Sequence, residues 1–153
     1  GSKSATPGGG VVAALTGSMA ASLIEMVCNL TIDKKGYEKV REEALKLRKE
    51  AAQVGRKLQR LAEEDKKAFD TVMAAYKTKS KPKIKKALRY AIDVPMEVRK
   101  LSHEIEQMAK ISLKIGNKNA ASDAKTALHL AVASGKAALE NIRINKKALA
   151  KLG

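Results

Sequence analysis

The sequence predicts an all-α fold, an up-and-down bundle of about five helices that dimerises. Three observations predict it. Ala, Leu, Lys and Glu dominate a chain of 153 residues with three prolines and four aromatic residues, Tyr37, Phe69, Tyr76 and Tyr90, a composition that favours helix over sheet. Apolar residues recur at alternating steps of three and four over long stretches, as they do on helices that bury one stripe. A nearly uncharged run at residues 11–30 is too long for a strand and carries only Glu25. The length is that of a single domain spanning residues 1–153, large enough to bury roughly 70% of its unfolded surface.

The first helix is read over residues 11–30. Ala13, Gly17, Ala20 and Ala21 are small, which lets neighbouring helices approach closely, so this reads as a central helix packed on several sides. Thr16, Ser18, Ser22, Glu25 and Asn29 recur along it and argue against a membrane span. It needs cover on nearly every face, and a second copy of the chain would supply that cover. Thr6-Pro-Gly-Gly-Gly10 precedes it. Three glycines are a poor way to start a helix, and they read either as a linker or as backbone kept bare for a reason. Asp33-Lys-Lys-Gly36 makes the following turn.

The second helix has the clearest period. Tyr37, Val40, Ala44, Leu47, Ala51, Val54, Leu58 and Leu61 form one seam, which resumes at Ala68, Val72 and Ala75. The seam position between them is Asp65, so one helix from about 37 to 76 carries a carboxylate among its inward-facing residues. Gly55 weakens this helix by roughly 1 kcal/mol. Ser80-Lys-Pro82 breaks the chain, and a short helix to Asp93 is expected next. Pro95 then reads as the first turn of a further helix, whose seam is Val98, Leu101, Ile105, Met108, Ser112 and Ile115 and whose C′ residue is Gly116. The last helix runs from about 120 to 140, and the alternating tail at 141–146 reads as irregular.

Charge and single residues bound the chemistry. The net charge is +15, and residues 1–30 carry only Lys3 and Glu25, so the excess begins at Asp33. The densest run is Lys77-Thr-Lys-Ser-Lys-Pro-Lys-Ile-Lys-Lys86. Such a surface attracts a polyanion, a nucleic acid or an acidic small-molecule tail, or is simply solvated. Cys28 is alone and has no internal disulfide partner, which fits a reducing, cytoplasmic compartment. Gly1-Ser2 reads as a cloning remnant, and no signal peptide precedes the first helix. One Cys and the distant His103 and His129, both expected to be exposed, give no metal-ligand spacing. The nucleophile-elbow, phosphate-loop and dinucleotide fingerprints are not found.

Two places could carry chemistry. Asp65 in an apolar seam loses hydration, which raises a carboxyl pKa toward general acid or base work. The alternative is a structural Asp with a buried partner. The second place is Gly116-Asn-Lys-Asn119, followed by Ser122 and Asp123 on the next helix. Asn119 and Asp123 share a helix face, and ordinary capping by Asn117 or Asn119 explains all but Asp123.

Four stretches taken together resemble the formiminotetrahydrofolate cyclodeaminase/methenyltetrahydrofolate cyclohydrolase family, which includes the C-terminal domain of formiminotransferase-cyclodeaminase. They are Thr6-Pro-Gly-Gly-Gly10; Met26-Val-Cys-Asn-Leu-Thr31 with Lys34-Lys-Gly-Tyr37; Ala62-Glu-Glu-Asp65-Lys-Lys-Ala-Phe69; and Gly116-Asn-Lys-Asn119 with Ser122-Asp123 and Asn141-Ile-Arg-Ile-Asn145. Val11 stands where that family often has Ser or Ala. The resemblance implies an all-helical dimer that binds a reduced folate in a cleft at the helix ends, with Asp65 as the catalytic carboxylate and no cofactor beyond the folate.

It also gives the glycines a role. Gly8, Gly9 and Gly10 would let a flat pterin approach the backbone, with free N–H groups at the helix start to bind an oxygen. Lys34, Lys35, Asn117, Lys118, Asn119, Ser122 and Asp123 are the further substrate-binding candidates. Of these, Lys34, Lys35 and Lys118 are expected to hold a polyglutamate tail, and the Lys77–Lys86 run to point away. The implied reaction is conversion of 5-formiminotetrahydrofolate to 5,10-methenyltetrahydrofolate and ammonia. The alternatives are cyclohydrolase action giving 10-formyltetrahydrofolate and, in another class, a basic bundle that binds nucleic acid or is purely structural.

Overall fold

The computed structural model describes residues 8–153; Gly1-Ser2 and the Thr6-Pro7 pair lie outside the described residues. Four helices follow one another: α1 Gly9–Ile32, α2 Arg41–Lys77, α3 Lys81–Ile115 and α4 Ala121–Ala150, with single 3₁₀ turns at Glu38–Val40 and Lys118–Ala120. They form a square up-and-down bundle in which α1 packs on α2 and α4, α3 packs on the same two, and α1 meets α3 only across the diagonal.

The seams read from the sequence are the core. Ala44, Leu47, Ala51, Val54 and Leu58 of α2 are buried, as are Val98, Leu101, Ile105 and Ile115 of α3. Facing them is the small-residue side of α1, with Ala13, Ala14, Ala20, Ala21 and Ile24 all buried. Small residues set how closely these helices approach. A Cβ at Gly17 would stand 2.9 Å from Ser134 Oγ, and one at Gly55 3.1 Å from Ala21 Cβ. Gly55 thus gives up helix propensity and lets α2 settle against α1. Ser134 Oγ donates to the Ala13 carbonyl at 2.7 Å and lies 2.7 Å from Ser102 Oγ, a buried polar link between α4, α1 and α3. Cys28 is buried in the same core, and burial pushes its thiol up to about 11.

Three expectations need correction. Residues 81–115 form one helix where two were expected, so the described residues hold four helices, and Pro95 lies inside this one, fully buried. A proline has no N–H for the carbonyl four residues back. Here that carbonyl, Ala91 O, accepts from Asn145 Nδ2 of α4 at 2.7 Å. The side chain replaces the lost backbone bond and the helix runs on. Residues 141–146 are not irregular; they continue α4, with Ile142 buried. Gly116 is not a left-handed C′ residue either. Its backbone is extended, at φ −71° and ψ 164°, and it is bare because a Cβ would collide with the Ser112 carbonyl and stand 2.7 Å from Val27 Cγ1. A left-handed glycine stands instead at Gly36, φ +92°, in the turn after α1.

Candidate active site

The site follows from unequal helix lengths. α1 has 24 residues, against 37, 35 and 30 for α2, α3 and α4. Because α1 begins at Gly9, beside Asp65 in the last third of α2, the other three helices overhang its N-terminus. A small second core of Ala75, Ile84, Ala87 and Leu88, packed with Leu149 and Leu152, ties the overhanging ends together. Between that core and the start of α1 lies a cleft of about 390 Å³, within the range of small-molecule sites.

Gly8, Gly9 and Gly10 form its floor. Asp65, Ala68, Phe69, Val72 and Tyr76 line it from α2. Leu88 and Ala91 line it from α3, and Asn141, Ile144, Asn145 and Ala148 from α4. The walls are apolar apart from Asp65, the Tyr76 hydroxyl and the two asparagines.

Asp65 is half-buried where the cleft meets α1. Burial pushes its carboxyl above the ordinary aspartate range, and a hydrogen bond from the Val11 main-chain N–H partly offsets that rise. Its seat explains one glycine. A Cβ on Gly10 would overlap the Asp65 carboxylate, so only a bare residue lets the carboxylate rest on the first turn of α1. Gly9 differs. A Cβ there would stand 3.5 Å from Asn141 Nδ2, an ordinary contact, so the protein itself does not demand glycine at that position. Gly8 is extended, its carbonyl accepts from Val12 N at 3.1 Å, and it has no side chain to cap the helix, so among the described residues the one side chain accepting from that first turn is Asp65, which takes the Val11 N–H. The first N–H groups of α1, which lack partners within the helix, therefore face the cleft beside Asp65.

The remaining candidates lie elsewhere. Lys34, Asn117, Lys118 and Asn119 gather at the opposite end of α1, about 35 Å away along the helix. Asn117 is buried and closes a network. Its Oδ1 accepts from Lys34 Nζ at 3.1 Å and from Asn119 N at 3.0 Å, and its Nδ2 donates to Leu30 O at 3.0 Å. Its own N–H donates to Thr31 Oγ1 at 2.9 Å, and Lys118 N donates to Tyr37 Oη at 3.0 Å. Lys35, Lys118, Asn119 and Ser122 are exposed, and Asp123 is half-buried in the first turn of α4, where the helix dipole favours a negative charge. Within the chain the structure brings Gly8, Gly9, Gly10 and Asp65 together and holds the other candidates apart from them.

The lysine-rich turn also needs correction. Residues 78–80 join α2 to α3 at the cleft end of the bundle, so the Lys77–Lys86 run does not point away from Asp65. A wider depression between α1 and α2, about 570 Å³ and lined by Glu25, Asn29, Arg48 and Lys49, is open to solvent. Arg48 there is spent on Asn29 Oδ1 at 3.1 Å.

Sequence reading did not single out Phe69, Tyr76, Asn141 or Asn145 as site residues. A signal was present. Asp65, Phe69, Val72 and Tyr76 repeat at helical spacing on one face of α2, and Asn141, Asn145 and Ala148 do so on α4. Two of only four aromatic residues face the cleft, 38% and 43% exposed, where a flat ring could stack.

The profile of the formiminotransferase-cyclodeaminase family matches residues 1–151. A methenyltetrahydrofolate cyclohydrolase from Methylorubrum extorquens is 38% identical over 157 residues, covering 97% of this chain and 76% of that protein. The crystal structure of formiminotetrahydrofolate cyclodeaminase from Thermotoga maritima superposes with a TM-score of 0.92 at 38% identity, covering 97% of this chain and 74% of that one.

Proposed function

This chain belongs to the formiminotransferase-cyclodeaminase family, and on that premise we propose that it is an enzyme of reduced-folate one-carbon chemistry with Asp65 as its proton-transfer group. The observation that carries the reading is the seat of Asp65. Among the described residues it is the one carboxylate lining the cleft, partly desolvated, with the N–H groups that open α1 and two aromatic rings around the same space. The pterin lies over Gly8, Gly9 and Gly10 with Phe69 and Tyr76 alongside, and the carbon bridging N5 and N10 faces Asp65.

In the first reading the substrate is 5-formiminotetrahydrofolate with its imino nitrogen protonated. N10 attacks the formimino carbon and a C–N10 bond forms. Asp65 takes the N10 proton and returns it to the amino nitrogen, the C–NH₂ bond breaks, and ammonia leaves with 5,10-methenyltetrahydrofolate as the second product. The name of the Thermotoga neighbour favours this reading. The name of the Methylorubrum relative favours a second one, hydrolysis of the methenyl compound. Asp65 then takes a proton from water as its oxygen adds to the methenyl carbon. The C–N5 bond breaks as N5 receives that proton from Asp65, the hydroxyl left on the carbon loses its proton to solvent and becomes the formyl carbonyl, and 10-formyltetrahydrofolate is released. Both reactions use the same carboxylate at the same carbon. Following the absorbance of 5,10-methenyltetrahydrofolate with each substrate separates them: it rises in the first and falls in the second. No change beyond the uncatalysed rate with either substrate would refute the folate reading.

We also propose that the active form is a homodimer joined along α1. Val12, Leu15, Met19, Met26 and Leu30 stand exposed on one stripe of that helix, Met19 at 59%, at the three-four spacing of a helix seam. An antiparallel pairing would set the partner's copies of the exposed lysines and asparagine at the far end of α1 beside this cleft, uniting the two groups of candidates. Met19→Lys should give a monomer in sedimentation and lose turnover. A fully active monomer would refute the pairing.

A further inference from the structure

We infer that the lysine-rich end of the bundle is the subsite for the polycarboxylate tail of the cleft's occupant; this rests on the folate reading, since folates in cells carry chains of glutamates. The cleft runs along the bundle axis. Asp65 and Tyr76 both line it and lie eleven residues apart on one helix, about 16 Å. At the Tyr76 end the walls run into the turn between α2 and α3 and the last turn of α4. Residues 77–89 and 143–153 hold eleven Lys and Arg and no Asp or Glu.

The two segments are joined in space as well as alike in charge. The second core packs Ile84 and Leu88 against Leu149 and Leu152, and Lys85 Nζ donates to the Gly153 main-chain oxygen. Lys79 lies in the turn three residues past Tyr76, Lys81 opens α3 two turns before Leu88, and Lys151 caps α4 three residues past Ala148, so all three stand just beyond residues that line the cleft. All three are exposed, and among the described residues none of them forms an ion pair.

Cations that no internal anion neutralises, set where an apolar cleft opens, fit an anion attached to whatever fills that cleft. A nucleic acid would use the charge but not the cleft. The location also differs from the expectation from sequence, which placed the tail on Lys34, Lys35 and Lys118; in the proposed dimer the partner's copies of those lysines come beside the start of α1, the Asp65 end of the cleft and not the Tyr76 end. Exposed contacts are individually weak and screened by salt, so the tail gains affinity through several of them and only at modest ionic strength.

The test compares mono- and pentaglutamate forms of the turned-over folate at low and high salt. It uses the wild type, the triple variant Lys79→Gln/Lys81→Gln/Lys151→Gln and the variant Lys34→Gln/Lys35→Gln. The wild-type KM at low salt should be about tenfold lower for the pentaglutamate, and the advantage should vanish in high salt. The triple variant should lose the advantage, and the Lys34/Lys35 variant should keep it.

Equal wild-type KM values at low salt would overturn the inference, as would loss of the advantage only in the Lys34/Lys35 variant. Both outcomes leave the folate reading standing. If the wild type turns over neither form, calorimetry with pentaglutamyl folate decides instead. Salt-sensitive binding lost in the triple variant supports the subsite, and no binding refutes it. A single-stranded oligonucleotide that binds more tightly than pentaglutamyl folate, and through the same three lysines, would assign the patch to nucleic acid.

Discussion

Both ends of α1 meet a polar motif, yet the two ends differ in what their polar groups still lack. At the far end, Asn117 spends its side-chain amide, its carbonyl and its backbone N–H inside the protein, on Leu30, Lys34, Asn119 and Thr31. Such a satisfied network holds loops in place. At the near end, Asp65 has, among the described residues, one backbone N–H and no cation, and a cleft lies in front of it. A buried group kept short of partners costs stability, and such a cost persists where chemistry uses it. Motifs that look alike in the sequence thus separate into a fastening and a working site once their hydrogen bonds are traced.

The largest effect that would break this contrast is at Asp65. Asp65→Asn keeps the size and the acceptor for Val11 but removes the proton chemistry, so turnover should fall by about 10²- to 10⁴-fold with the helical spectrum unchanged. Its stability should move the other way. Because the folded carboxyl titrates above its unfolded value, ionising it costs stability. That cost is absent below the unfolded pKa of roughly 4 and complete once the pH exceeds the raised folded value. The Asn variant should therefore melt above the wild type at neutral pH, with the difference closing below about pH 4. A variant that melts well below the wild type at pH 7 would make Asp65 a structural cap.

Gly10→Ala sharpens the contrast next. Its Cβ would displace the Asp65 carboxylate, and a shift of about 1 Å can cost 10²-fold in rate. Gly9→Ala, with room for its methyl, should cost far less. Equal losses would mean that the glycines act through backbone freedom alone.

At the far end the expected loss is in stability. Asn117→Ala strands the Leu30 carbonyl and the Lys34 ammonium, which should cost about 2–3 kcal/mol and lower Tm by roughly 5–10 °C. An unchanged Tm would deny the network its fastening role. Smaller still is the bond from Asn145 to Ala91. Asn145→Ala should cost about 1 kcal/mol in the wild type and less in a Pro95→Ala background, where residue 95 regains its own N–H for Ala91. Additive losses in thermal melts would show that Asn145 does not substitute for that bond.

The sequence made some of this legible and hid the rest for identifiable reasons. The Tyr37–Ala75 seam is local and periodic, so α2 and the inward place of Asp65 could be counted out. Helix length alone could have separated Gly8 from Lys34, since 24 residues of helix hold their ends about 35 Å apart. The continuity of α3 could not be read. What rescues Pro95 is Asn145, fifty residues later and on another helix, and local propensity carries no trace of it. Phe69 and Tyr76 were visible as a face but not as a cleft, because the cleft exists only where α1 stops and three other helices continue.

The most direct measurement is the pH dependence of kcat/KM for the wild type beside Asp65→Asn. A base that must be ionised gives a rate that rises with pH through its pKa. The wild-type profile should therefore show an acid limb above the ordinary aspartate range of about 4, and the residual activity of Asp65→Asn should lack that limb. The same limb persisting in Asp65→Asn would contradict the assignment and place the proton-transfer group elsewhere in the cleft.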